Sequence, residues 1–308
     1  MSFRGKILVI RGGAIGDFIL TLPAIAALRR QFPESRLEVL GYPHIVQLAV
    51  AGGLVDDVRS IDARPLAGFF ARNGVLAEDL RDYFSEFDLI VSYLYDPDQI
   101  FRTNVGRCSP AQFIVGPHRP DETGCVPAAR VYLQPLERLA IFEADPVPQL
   151  VPKGLDSSSS TLEQLVLHPG SGSEHKNWPE LRWADLLRHL LDSTGFTLLL
   201  VGGEAEGERL QRLARPLPPA RTRLAQNLPL AELAAVLARS RCFIGHDSGI
   251  SHLAAAVGLP GVVLWGDTSE AVWRPPSEKV IVLKHPAALA RLPVGDVLAH
   301  LQAICAPA

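Results

Sequence analysis

The stretch Gly245–Thr268, GHDSGISHLAAAVGLPGVVLWGDT, decides how the rest of the chain is read. Cys242-Phe243-Ile244 finish an incoming strand, and Gly245 lets the backbone turn. A short helix follows, then a Gly-Leu-Pro-Gly stop and a buried strand. Asp247 and Ser248 suit an N-cap, which predicts that the amides of Ser248, Gly249 and Ile250 point outward at a helix start. Unpaired N–H groups and the positive end of the helix dipole converge there, so such an end attracts anions. Gly249 admits a ligand against the main chain, while Ser248, Ser251 and His252 add polar contacts. An ordinary capped turn needs fewer polar groups than this, and the reading is a phosphate pocket.

The loop His168–Pro179, HPGSGSEHKNWP, is a second constellation of the same kind. It follows the strand Leu165–Leu167. Gly170, Ser171, Gly172 and Ser173 offer open backbone and hydroxyls to phosphate oxygens, and Lys176 offers the positive charge that a leaving diphosphate needs. Farther on, Phe196–Val201 is a strand, Gly202-Gly203-Glu204 its turn, and Glu204 is placed either to hold a ribose hydroxyl or simply to start a helix. Helices are expected over Trp183–Leu191, Glu206–Leu213, Leu230–Ala238 and Val294–Ile304, and strands over Arg241–Gly245 and Val280–Leu283.

The chain begins with a comparable unit. Ile7-Leu8-Val9-Ile10 is a strand of the buried parallel type, Arg11–Asp17 a glycine-rich turn, Phe18–Gln31 a helix and Leu37–Gly41 the next strand. The spacing Gly12-Gly13-x-x-Gly16 is not GxGxxG, and the second strand ends in Gly41-Tyr42 rather than an acid, so a dinucleotide site is rejected. Asp17, at the mouth of the loop, is either a helix N-cap or a general base. Phe87–Ser92 and Gln112–Gly116 are further strands. Asp96-Pro97-Asp98 between them has the form of a metal–diphosphate motif, but a proline-broken acidic turn explains it and no third ligand lies nearby. Arg64–Arg72, with Phe69 and Phe70, either touches a membrane surface or packs inside the domain.

Strands alternate with helices in both halves, and Pro146–Ser160 is proline- then serine-rich. The expected organisation is an α/β protein of two Rossmann-like, doubly wound domains facing across a cleft. These span residues 1–150 and 162–308, with a linker at 151–161, in keeping with a length of 308 residues. An apolar fraction of 47% supplies a full core, and a net charge of −3 gives no sign of a nucleic-acid partner. The four cysteines lie scattered, without metal spacing, which points to a reducing compartment. With no leader and no apolar run of membrane-spanning length, a cytoplasmic protein is expected.

Three segments in register, IRGGAIGD (Ile10–Asp17), HPGSGSEHKNWP (His168–Pro179) and GHDSGISHLAAAVGLP (Gly245–Pro260), resemble glycosyltransferase family 9. The known members of that family are the ADP-heptose:lipopolysaccharide heptosyltransferases. The resemblance covers nearly the whole chain. It implies a GT-B fold and an inverting transfer of heptose from ADP-heptose to a lipopolysaccharide-core or related glycan, without a metal or other cofactor. Asp17 matches the base, with Gly13 beside it on the acceptor side; Lys176 and Asp247 match donor positions and Glu204 the ribose-binding glutamate. The partners implied are a nucleotide sugar and a glycan or glycolipid, met in the cytoplasm or in peripheral contact with the inner membrane. Where the family shows Asp-x-Gln-Gly this chain has Ser92-Tyr93-Leu94-Tyr95-Asp96, and where it shows Gly-Pro-Thr this chain has Gly266-Asp267-Thr268. The first departure makes Tyr93, Tyr95 and Arg102 acceptor-side candidates, although core packing would equally explain the tyrosines, and suggests an acceptor other than the usual inner-core sugar. Rival readings are a sugar-nucleotide epimerase or hydrolase on the same scaffold, or a sugar-nucleotide-binding protein that has lost transfer.

Overall fold

A computed structural model describes residues 4–152 and 161–305. Two compact units emerge, Met1–Pro148 and Gln149–Ala308. Most of the expected linker, residues 153–160, lies outside the described residues.

The first unit is built on β1 (Lys6–Arg11), β2 (Arg36–Gly41), β3 (Asp57–Ser60), β4 (Leu89–Ser92) and β5 (Gln112–Val115). They run parallel in the order β3-β2-β1-β4-β5. Helices α1 (Ile15–Gln31), α2 (Pro43–Ala51), α3 (Glu78–Ser85), α4 (Ile100–Gly106) and α5 (Ala128–Leu133) connect and cover them. Ile7 to Ile10 are fully buried because β1 has a strand on each side and helices over both faces.

The second unit holds β6 (Gln164–Leu167), β7 (Thr197–Gly202), β8 (Thr222–Gln226), β9 (Cys242–His246), β10 (Gly261–Trp265) and β11 (Val280–Lys284). Again every pairing is parallel, in the order β11-β10-β9-β6-β7-β8. Its helices are α6 (Glu180–Ser193), α7 (Gly207–Ala214), α8 (Leu230–Ala238), α9 (Gly249–Ala256), α10 (Glu270–Trp273) and α11 (Val294–Cys305). Trp178, Trp183, Leu186 and Leu190 pack with Leu165 and Leu167 beneath Val297 and Leu301, forming one core.

Strand order reverses once in each sheet, between β1 and β4 and between β6 and β9. Chains leaving the carboxyl ends of such neighbours diverge to opposite faces and open a crevice, which is where doubly wound sheets bind ligands. All three signature segments leave strands at these two points.

Some boundaries differ from the sequence reading. Helix α1 begins at Ile15 rather than Phe18, so Asp17 is its third residue and not its N-cap. Gly245 lies inside β9, where a Cβ would come within 2.5 Å of the Phe243 ring; close packing, not a turn, requires glycine there. The Arg64–Phe70 segment is a 3₁₀ turn. Phe69 is buried in it, while Phe70 lies 4.9 Å from the Phe101 ring, so the segment packs mainly inside the unit. Asp96 accepts the Phe101 and Arg102 amides at the start of α4, and Asp98 pairs with Arg72 at 3.2 Å. Capping and ion pairing thus account for both acids of the Asp-x-Asp. Among the described residues no helix is long and apolar enough to cross a membrane.

Candidate active site

In the second unit the segments His168–Pro179 and Gly245–Pro260 come together at the β6/β9 switch point. Lys176 Nζ donates to Asp247 Oδ2 at 2.7 Å, across 71 positions of sequence. Asp247 is buried and Lys176 half-buried, so the lysine reaches solvent while its partner anchors it. That pairing removes Asp247 from the capping role expected of it. Ser248 is the N-cap residue of α9 but makes no side-chain cap bond. The first amides of α9, at Gly249 and Ile250, therefore stay open for an anion beside the Lys176 ammonium.

The loop after β6 is fastened from below. The Trp178 amide donates to His246 Nε2 at 2.8 Å, so that nitrogen carries no proton. The other ring nitrogen, Nδ1, faces the Gly170 carbonyl at 3.1 Å and holds the proton of a neutral imidazole. The ring is fully buried, and burial before any other cause pushes its pKa down to about 3. One neutral tautomer thus pins both ends of the Gly170–Trp178 loop. Burial also lowers the pKa of His168, against an opposing pull from Glu206. Arg209 donates to the Pro169 carbonyl at 3.2 Å and pairs with Glu174 at 2.5 Å. The Trp178 ring packs edge-on against Trp183, which in turn meets His246.

Individual candidates are distributed as follows. Ser171 Oγ lies 2.7 Å from Asn177 Oδ1 and 2.9 Å from the Ser173 carbonyl, so it shapes the loop. Gly172 has φ +72°, and Ser173 opens the 3₁₀ turn that carries Lys176. Ser248 Oγ sits 3.4 Å from His168 Nδ1. Ser251 and His252 are buried in α9, and the Ser251 hydroxyl donates to the His246 carbonyl. Glu204 is exposed at the start of a short 3₁₀ turn. Glu206, two residues on, is buried and accepts the Gly203 amide at 2.8 Å. A Cβ at Gly170 would fall 2.1 Å from Glu206 Cγ, so this glutamate is what Gly170 packs against. Asp267 is exposed, and Thr268 accepts the Trp265 indole N–H through its carbonyl.

In the first unit the turn after β1 wraps a carboxylate. Asp17 Oδ2 accepts the Ala14 amide at 3.1 Å, and its side chain remains about a quarter exposed. Gly13 takes φ +100°, and a Cβ there would sit 3.0 Å from Asp17 Oδ2, so the loop requires glycine to close over the acid. Arg11, buried, donates to the His118 carbonyl at 2.8 Å and the Asp17 carbonyl at 3.3 Å. Its Nη2 also lies 3.5 Å from Asp17 Oδ1. One guanidinium thereby ties the chain after β5 to the Asp17 loop. Tyr93 is buried, its hydroxyl donating to the Tyr132 carbonyl at 2.6 Å; it is core, not an acceptor contact. Tyr95 is exposed, and its ring lies 4.5 Å from that of His118. Arg102 is exposed on α4, its guanidinium 3.1 Å from Gln99 Oε1.

Sequence reasoning missed Arg11, His118, Glu206, Arg209 and His246. Of these only His246 and Arg11 stand inside the quoted segments, and each was taken as part of a strand or a turn. Among the described residues, no group of three or more His, Cys, Asp or Glu is placed to hold a metal ion.

The profile "Glycosyltransferase family 9 (heptosyltransferase)" matches residues 150–293. Lipopolysaccharide heptosyltransferase 3 of Escherichia coli K12 is 24% identical over 299 residues, covering 86% of this chain and 84% of its own. Lipopolysaccharide heptosyltransferase 1 of the same strain is 33% identical over 140 residues, 42% of this chain and 43% of that protein. The structure of the Escherichia coli ADP-heptose lipopolysaccharide heptosyltransferase II superposes with a TM-score of 0.77 at 20% identity, over 97% of this chain and 98% of that one.

Proposed function

We propose that the chain is a member of glycosyltransferase family 9 and transfers heptose from ADP-heptose to a lipopolysaccharide-core or related glycan, with Asp17 as general base. That it is a glycosyltransferase of GT-B fold follows from the family and the architecture. The sugar, the acceptor and the residue roles are our reading.

The observation that carries it is the Lys176–Asp247 pair beside the uncapped start of α9. When the glycosidic bond to a nucleoside diphosphate breaks, negative charge grows on the departing phosphate oxygens. Two open amides and an ammonium fixed beforehand meet that charge without reorganising as it forms. The Gly170–Ser173 loop offers further main chain to the diphosphate, and Glu204 is assigned the ribose. On the first unit, Asp17 takes the acceptor hydroxyl's proton as its oxygen attacks the anomeric carbon from the face opposite the diphosphate. That geometry inverts the configuration. A positioned base of this kind contributes about 10²–10⁴-fold. The names of the relatives, which specify heptose and, in one case, ADP-heptose, support the donor. No step in this scheme calls on a metal, so turnover should withstand EDTA.

Thermal-shift titration with ADP-, GDP-, UDP- and dTDP-sugars tests the donor. A ligand at a hundredfold excess over its Kd stabilises the folded state by about 2.7 kcal/mol. ADP-heptose is expected to give the largest shift, and a larger shift from another nucleotide sugar overturns the donor assignment. Consumption of donor without acceptor would indicate the epimerase or hydrolase reading instead.

A further inference from the structure

A transferase must hold its acceptor ring as well as deprotonate it. Tyr95 stands 67% exposed, beyond the end of β4, with its ring 4.5 Å from the His118 imidazole and inclined at 58° to it. The pair is held from beneath. Tyr93, two residues before Tyr95, is buried and fixed through its hydroxyl to the Tyr132 carbonyl. Gly116, two residues before His118, lies so close to the Tyr93 ring that a Cβ would approach it to 2.7 Å. The Gly116 amide also donates to the Ser92 carbonyl at 2.8 Å. The chains after β4 and β5 therefore leave the sheet side by side, locked one step earlier, each presenting a ring.

The pair is also linked to Asp17. The His118 carbonyl accepts from Arg11 at 2.8 Å, and the same guanidinium reaches Asp17 Oδ1 at 3.5 Å. A pyranose has an apolar face of C–H groups and an edge of hydroxyls. Aromatic faces carry partial negative charge and attract that C–H face, while a carboxylate attracts a hydroxyl proton. We propose that Tyr95 and His118 form the platform on which the acceptor's sugar ring stacks beside Asp17, and that this pair sets which acceptor is taken. The proposal rests on the transferase reading above. Tyr95 occupies the segment where the chain departs from the family pattern, so the platform would give this enzyme an acceptor preference of its own.

The test combines binding and kinetics on the full chain. Deacylated lipopolysaccharide-core oligosaccharides and unrelated glycans are titrated calorimetrically against wild type, Tyr95→Ala, Tyr95→Phe and His118→Ala. Either alanine variant should weaken binding of the preferred glycan by tenfold or more and raise the acceptor KM in parallel. Tyr95→Phe, which keeps the ring, should retain most of the affinity. The KM for donor and the thermal midpoint should not move, since Tyr95 is exposed and the Arg11 contact uses the His118 main chain; a merely structural role would lower the midpoint. Unchanged acceptor affinity in both alanine variants overturns the platform, as does a wild type that binds no glycan of the panel. Failure of the transferase reading shows separately, as ADP-heptose failing to bind wild type, because the glycan titration needs no donor.

Discussion

His246 offers a quantitative handle on the loop after β6. In the unfolded chain a histidine takes a proton near pH 6.5, whereas the buried His246 resists protonation until about pH 3. The folded pKa is depressed, so its contribution is complete above pH 6.5 and is lost progressively as pH falls toward 3. A span of about 3.5 pH units, from 6.5 to about 3, at 1.36 kcal/mol per unit sets an upper bound of roughly 4–5 kcal/mol. Within that window the residue adds a slope of about 1.4 kcal/mol per pH unit. His168 is displaced in the same direction and steepens the wild-type curve further, so the informative quantity is a difference between proteins. The comparison is His246→Gln, whose amide can still accept from the Trp178 amide and donate to the Gly170 carbonyl but does not titrate. All four tryptophans, Trp178, Trp183, Trp265 and Trp273, belong to the second unit, so urea unfolding followed by indole fluorescence reports that unit alone. Between pH 6 and 4 the variant should lose stability less steeply than wild type, by about one proton's worth of slope. Parallel curves would refute the reasoning, as would an NMR titration placing the folded His246 pKa near 6.5.

Three further outcomes are expected. Asp17→Asn keeps an acceptor for the Ala14 amide, so the loop stays formed; transfer should fall about 10²–10⁴-fold with donor affinity intact, measured by initial rates and calorimetry. Loss of donor binding in that variant would contradict its assignment as the acceptor-side base. Lys176→Ala leaves the buried Asp247 without its partner, so donor affinity and turnover should both drop and the second unit should lose about 1.5–3 kcal/mol, the worth of a hydrogen bond to a charged group, in fluorescence-detected unfolding. Gly13→Ala forces a side chain into φ +100° and against Asp17, at a cost of order 1–3 kcal/mol, and should depress the transfer rate while leaving donor affinity unchanged in calorimetry.

Much of the fold could be read because its central strands are buried on both faces and must be apolar throughout. Ile7–Ile10, Leu165–Leu167 and Gly261–Trp265 announce themselves in this way. The edge strands do not. β3 (DVRS) and β8 (TRLAQ) are short and polar, β3 half-buried and β8 mostly exposed, and neither was anticipated. They are strands because Val39 and Leu199 beside them offer a parallel edge, a tertiary cause that no local pattern records. Short helices such as α2 and α5 escaped for a similar reason, since six to nine residues give too few turns for a period to show.

The site divides along the same line. Residues singled out from their own loop, Gly13, Asp17, Lys176 and Gly249, stood out because a glycine or a lone charge at a strand end breaks the apolar pattern. Residues that act by joining two loops were not. Lys176 and Asp247 were each picked out, yet nothing in the chain says that 71 positions fold up to place them 2.7 Å apart. His246 carries its information in two hydrogen bonds, to Gly170 and Trp178, which exist only after β6 and β9 have paired. Arg11 is the sharpest case: as a sequence character it is a charge ending an apolar strand, which favours a solvent-exposed reading. The structure buries it because the His118 and Asp17 carbonyls and the Asp17 carboxylate together replace the water that a guanidinium would otherwise keep. A buried cation with such partners constrains all of them, so the acid of the first loop and the main chain of His118 are held by one group. The loop that carries Asp17 is consequently held by a contact between distant segments, and that is why motif reading reached the loops after β6 and β9 sooner than it reached the surface beside Asp17.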